Sequence, residues 1–115
     1  MRVVITGASR GIGRATALKL AADGVEALTL CDVAYLDELE ALAANLRTSG
    51  CKVHTLRADM ARPNDPARVI AAAVKAMGGI SGIVGNGSLK RWHSSGDVKR
   101  RIWRTRIIFI FNGRL

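Results

Sequence analysis

Aromatic residues make up only 4% of this 115-residue chain, which also has just two cysteines, two prolines and two histidines. Cys31 and Cys51 show no CxxC spacing and no histidine placed to share a metal with them. Buried reduced thiols are therefore expected, rather than a disulfide scaffold or a zinc site. No apolar run reaches the roughly 18 residues of a spanning helix. Only Met1 and Arg2 precede the first strand-like run, which leaves no signal-peptide layout. These absences lead to the expectation of a cytoplasmic protein without a membrane segment. One domain is the prior at this length.

What is abundant is unevenly spread. Residues 1–87 hold ten Lys and Arg against eight Asp and Glu, whereas residues 88–115 hold eight against Asp97 alone. Both tryptophans and both phenylalanines also fall in that last stretch. The expected organisation is an organised unit over 1–87 and a basic, aromatic-containing tail over 88–115.

Within the first unit, Val3-Val4-Ile5-Thr6 has no apolar alternation, the mark of a strand buried on both faces. After Gly13, Ala15, Leu18, Leu20, Ala21 and Ala22 suit a helix ending at Gly24. Ala27–Cys31 forms a second buried strand. Leu36, Leu39, Leu42, Ala43 and Leu46 recur at helical spacing behind Asp37, Glu38 and Glu40, which favour a helix start. Val53–Leu56 gives a third strand. Asp65 is a candidate cap before Pro66, and Val69, Ile70, Ala73, Val74 and Met77 line one side of a third helix that stops at Gly78-Gly79. Ile80–Val84 is the fourth strand. This β-α-β-α-β-α-β order predicts an α/β fold: a Rossmann-type doubly wound parallel sheet of order 3-2-1-4, in three α/β/α layers, truncated after about four strands.

Between the first strand and helix lies Thr6-Gly7-Ala8-Ser9-Arg10-Gly11-Ile12-Gly13. Gly7 permits a sharp exit from the strand, Gly11 leaves room for close backbone approach, and Gly13 allows tight packing of the helix. Amides at the helix start then face pyrophosphate charge. This TGxxxGIG string resembles the cofactor loop of the short-chain dehydrogenase/reductase family, matching that pattern at every specified position. The resemblance covers residues 2 to about 87. It implies a nicotinamide dinucleotide cofactor, with Gly7, Ser9, Arg10, Gly11, Ile12 and Gly13 on the pyrophosphate side.

Asp32, at the end of the second strand, is placed to accept hydrogen bonds from the adenosine ribose hydroxyls. Its charge would repel a 2′-phosphate, which favours NAD. Arg10 argues for NADP, because a basic residue in this loop can approach that phosphate; the balance favours NAD, with NADP the alternative. Asp59-Met60, after the third strand, resembles the family's adenine-binding pair. Gly85-Asn86-Gly87-Ser88 stands where the family carries Asn-Asn-Ala-Gly, so that only Asn86 is in register beside the cofactor cleft.

The family's chemistry is hydride transfer between the nicotinamide and a carbonyl or alcohol, carried by a Ser and a Tyr-x-x-x-Lys. Here the single tyrosine is Tyr35 and position 39 is Leu39, so Tyr35 is expected on a packed or exposed loop. The resemblance thus implies the cofactor-binding portion of an oxidoreductase whose catalytic half is missing, inactive on its own. A non-catalytic dinucleotide-binding or regulatory module is the alternative.

For the tail, a foreign or frameshifted ending competes with a basic extension in which Lys90, Arg91 and their neighbours meet nucleic acid or an acidic partner. Nucleic acid is the less favoured of these. The uncharged Ile107–Phe111 run has the character of an aggregation-prone strand. An unpaired fourth-strand edge would favour self-association.

Overall fold

The computed structural model describes residues 1–85; Asn86 and every expectation for the tail lie outside the described residues. Three β-branched residues in a row commit the first segment to extended backbone. The strand β1 spans Arg2–Thr6, with Val3, Val4 and Ile5 all buried. It is followed by α1 (Gly11–Ala22), β2 (Ala27–Asp32), α2 (Leu36–Thr48), β3 (Lys52–Arg57), α3 (Asp65–Met77) and β4 (Gly82–Val84). All pairings are parallel and the order is β3-β2-β1-β4, with Val4 opposite Thr29 on one side and Ile83 on the other. The first strand is therefore central, as expected.

Strand alternation divides the core into two layers. Val3, Ile5, Leu28 and Leu30 pack with Ala17 and Ala21 of α1 and with Leu39, Leu42 and Leu46 of α2. Val4, Cys31 and Ile83 pack with Val69 and Ala73 of α3. Helices thus cover both faces of the sheet, the arrangement parallel strands require. β3 mixes exposed and half-buried positions and has no fully buried one, as befits the outer strand on its side.

Several local expectations are corrected. α1 begins at Gly11, and its buried stripe is Gly13, Ala17 and Ala21, while Ala15 and Ala22 are exposed and Leu18 and Leu20 only half-buried. Small residues at every fourth position bring the helix axis close to the sheet, which pushes the larger side chains to its flanks. Val74 faces solvent. Asp65 is the first residue of α3 rather than its cap, and Asn64 takes the capping position without a side-chain bond. β4 is shorter than expected because Ile80-Ser81 is tied to the sheet differently. The Ser81 amide donates to the Arg2 carbonyl at 2.7 Å, and the Arg2 amide donates to Ser81 Oγ at 3.1 Å.

Candidate dinucleotide site

The carboxyl ends of β1, β2 and β3 deliver Thr6, Asp32 and Arg57 to one edge of the sheet, the edge where open α/β sheets bind ligands. The chain leaves β1 through Gly7, whose φ of 63° places it in the left-handed region. Ala8 then follows β2 inward, its amide donating to the Cys31 carbonyl at 3.1 Å.

Gly11 and Gly13 differ in what they permit. Among the described residues a Cβ on Gly11 would meet nothing within 4 Å, although its φ of 56° is unfavourable for any side chain. A Cβ on Gly13 would stand 2.2 Å from the Gly7 carbonyl oxygen and 3.0 Å from Ala8 Cα. Gly13 therefore seats the first turn of α1 directly on the loop, while the surface over Gly11 is open. The amides of that first turn lack intrahelical acceptors. Among the described residues no side chain caps this helix and no acid stands in its first turn. α2 and α3, by contrast, carry Asp37, Glu38 and Asp65 in their first turns. Ile12, 66% exposed, forms an apolar rim beside these amides.

Asp32 is half-buried and already engaged. Its Oδ2 accepts from the Ser9 amide at 3.2 Å and from the Ser9 hydroxyl, and its Oδ1 accepts from the Val33 amide at 2.7 Å. A carboxylate offers about four acceptor directions, and the described residues fill three of them. Ser9 is itself buried, and the pair locks the loop to the end of β2.

Arg10 turns the opposite way. It makes a two-pronged contact with Glu38 of α2, Nε donating to Oε2 at 3.0 Å and Nη2 to Oε1 at 3.2 Å. The same guanidinium lies 3.5 Å from the centre of the Tyr35 ring. The pairing holds the Glu38 carboxyl below its usual range and raises the Arg10 guanidinium further. Tyr35 is half exposed, with a φ of 57°, the one described non-glycine residue in the left-handed region. It lies on exposed loop surface, in line with expectation. A groove of about 590 Å³ runs alongside, lined by Ser9, Arg10, Gly11 and Arg14 on one bank and by Glu38, Ala41, Leu42 and Asn45 on the other.

Past β3, the Asp59 amide donates to Asp65 Oδ2 at 2.8 Å, and Asp59 Oδ1 accepts from the Ala61 amide at 2.9 Å. Met60 is buried. Asp59 and Met60 thus form a rigid turn next to Asp32, whose carbonyl accepts from the Ala58 amide. The structure brings together Gly7, Ser9, Gly11, Gly13 and Asp32, with Asp59 and Met60 beside them; Arg10 is drawn aside, and Asn86 is not described. Sequence reasoning missed Tyr35 and Glu38 as partners of Arg10, and Asp65 as the support of Asp59. Glu38 carried only the signal of an acid at a helix start.

A family model described as short chain dehydrogenase matches residues 1–114. The chain is 39% identical over 83 residues to an uncharacterized oxidoreductase of Mycobacterium tuberculosis, covering 72% of this chain and 31% of that protein. It is 37% identical over 89 residues to a 3-oxoacyl-(acyl-carrier-protein) reductase of Aggregatibacter actinomycetemcomitans, covering 77% and 36%. Among solved structures, a short chain dehydrogenase/reductase of Burkholderia phymatum in complex with NAD superposes with a TM-score of 0.69 at 34% identity, covering 75% of this chain and 30% of that one. A short chain dehydrogenase of Burkholderia cenocepacia in complex with NADP gives 0.72 at 31% identity, covering 76% and 35%. The chain spans about a third of the length of these relatives.

Proposed function

The chain belongs to the short-chain dehydrogenase family, and from that membership we propose that it is a nicotinamide dinucleotide-binding portion of an oxidoreductase, selective for NAD. When bound, the nicotinamide supplies hydride exchange with a carbonyl or alcohol. The observation that carries the reading is the loop from Gly7 to Gly13. There, among the described residues, a helix start free of side-chain caps meets an open surface at Gly11, and Gly13 is pressed against the Gly7 carbonyl. A diphosphate fits this place because its charge meets the helix amides and its bulk takes the space that the absence of a Cβ at Gly11 leaves.

In this reading Gly7, Ser9, Gly11, Ile12 and Gly13 form the diphosphate cradle, and Asp32 accepts from a ribose hydroxyl. Asp59 and Met60 meet the adenine, with Asn86 completing the cleft from beyond β4. Arg10 borders the ribose end. Asp32 favours NAD over NADP, because two unit charges about 4 Å apart repel by roughly 4 kcal/mol at an effective dielectric near 20. The proton-transfer machinery that hydride exchange requires is assigned to residues other than Tyr35, because Leu39 stands where a Tyr-x-x-x-Lys pair would need its lysine. Among the described residues β4 pairs with β1 on one side only, and we infer self-association of the chain through its other edge.

The test is a fluorescence titration with NADH and NADPH of the wild-type chain and Asp32→Asn. Wild type should bind NADH more tightly, and the substitution should narrow or reverse that preference. A folded chain that binds neither nucleotide refutes the reading.

A further inference from the structure

The glycine loop is held between two acids on different elements. Ser9 is fixed inward by Asp32 at the end of β2, and Arg10 is fixed outward by Glu38 on α2. Three observations set the outward half apart from an ordinary surface ion pair. The Arg10–Glu38 contact is a two-pronged fork, the geometry in which arginine is most selective for a carboxylate. The guanidinium is also stacked on an aromatic face at 3.5 Å. Tyr35, which supplies that face, sits in a left-handed backbone conformation that is uncommon for a bulky residue and is found where surrounding contacts impose it.

We propose that Glu38 and Tyr35 are coenzyme-specificity residues. Together they hold the Arg10 guanidinium against α2 and withhold its charge from a phosphate on the adenosine ribose. This deepens the dinucleotide reading and rests on it. Asp32 repels a 2′-phosphate, and the clasp removes the nearby cation that would offset the repulsion. Preference for NAD is then set by four residues on three segments, Asp32, Arg10, Tyr35 and Glu38, rather than by Asp32 alone. The groove beside the clasp, with Arg14 on the same bank as Arg10, gives a freed guanidinium space to move.

The experiment measures NADH and NADPH dissociation constants for the full chain at low salt. The variants are Glu38→Gln, Tyr35→Asn and Tyr35→Phe, with Glu38→Gln also placed in an Arg10→Ala background. Asparagine tolerates the left-handed backbone without supplying a ring, whereas phenylalanine retains the ring. Glu38→Gln and Tyr35→Asn should each shift the ratio toward NADPH by about two- to fivefold, in keeping with the loss of one exposed contact. Tyr35→Phe should keep the wild-type ratio, and Glu38→Gln should have no effect without Arg10. A ratio unmoved by Glu38→Gln while NADH still binds overturns the clasp. A shift that persists in the Arg10→Ala background also overturns it, since that would be direct repulsion by Glu38. Loss of binding to both nucleotides in the wild-type chain instead refutes the dinucleotide reading beneath it.

Discussion

Replacing Gly13 with alanine adds one carbon at the tightest contact of the candidate site. That carbon would lie 2.2 Å from the Gly7 carbonyl oxygen and 2.9 Å from its carbonyl carbon. Both neighbours are backbone, so no rotamer change relieves the overlap. Loop and helix must separate by about 1 Å to restore an ordinary contact. Overpacking of this kind costs about 1–3 kcal/mol, while alanine in place of glycine inside a helix returns up to about 1 kcal/mol. The expected net loss is about 1–2 kcal/mol, which corresponds to a Tm lower by roughly 5–10 °C for a domain of this size. A loop displaced by that amount also misaligns its amides against a diphosphate. NADH affinity should therefore fall about tenfold, the equivalent of a single lost charge-assisted hydrogen bond. Gly11→Ala is the paired control for stability. Its Cβ meets no atom within 4 Å among the described residues, so any loss of stability there reflects only left-handed strain. Thermal denaturation of both variants and NADH titration of Gly13→Ala provide the assay. A Gly13→Ala protein with wild-type Tm and affinity would refute the argument that close packing of α1 on the loop builds the cradle.

Other consequences are open to simple measurement. Thr29 is fully buried in β2, and its hydroxyl has no hydrogen-bond partner among the described residues. Thr29→Val keeps the shape and removes the orphan group, so urea unfolding should show a gain of about 1 kcal/mol. Burial, with the charge of Asp32 behind it, pushes the Cys31 thiol up to about 12. The folded state therefore holds this proton more tightly than the unfolded chain. The resulting stability is complete below the ordinary thiol value of 9.0 and is lost as pH rises toward about 12. Cys31→Ala should flatten that alkaline decline, and a decline of unchanged slope would contradict the assignment. With β4 paired on one side among the described residues, sedimentation velocity at tens of micromolar should show species larger than the 12.3 kDa monomer. A sharp monomer boundary would contradict self-association.

The sheet order was readable because each strand announced itself without reference to the others. The apolar run Val3–Ile5 and the run Ala27–Cys31, broken only by Thr29, fit strands covered on both faces, and the helical segments between them fit parallel crossovers. Glycines carried the loop, since Gly7 and Gly13 occupy places that only their lack of a side chain explains. The face of α1 was harder to read. Its inward stripe is built from Gly13, Ala17 and Ala21, which carry little hydrophobic signal beside Leu18 and Leu20. What the sequence withheld was pairing at long range. Nothing in a one-dimensional pattern joins Arg10 to Glu38, 28 positions away, or turns Tyr35 into a platform for a guanidinium. Asp65 had the same ambiguity at short range. An acid before Pro66 fits a helix cap, and only the folded turn shows it bonded to the Asp59 amide.

The most direct test of the account is a nitrogen–proton NMR titration of the chain with NADH, following individual backbone amides. Saturable shifts concentrated at Gly11, Ile12 and Gly13, with smaller ones at Asp32 and Asp59, are the predicted result. A folded chain whose amides at the start of α1 stay unmoved at millimolar NADH would contradict it.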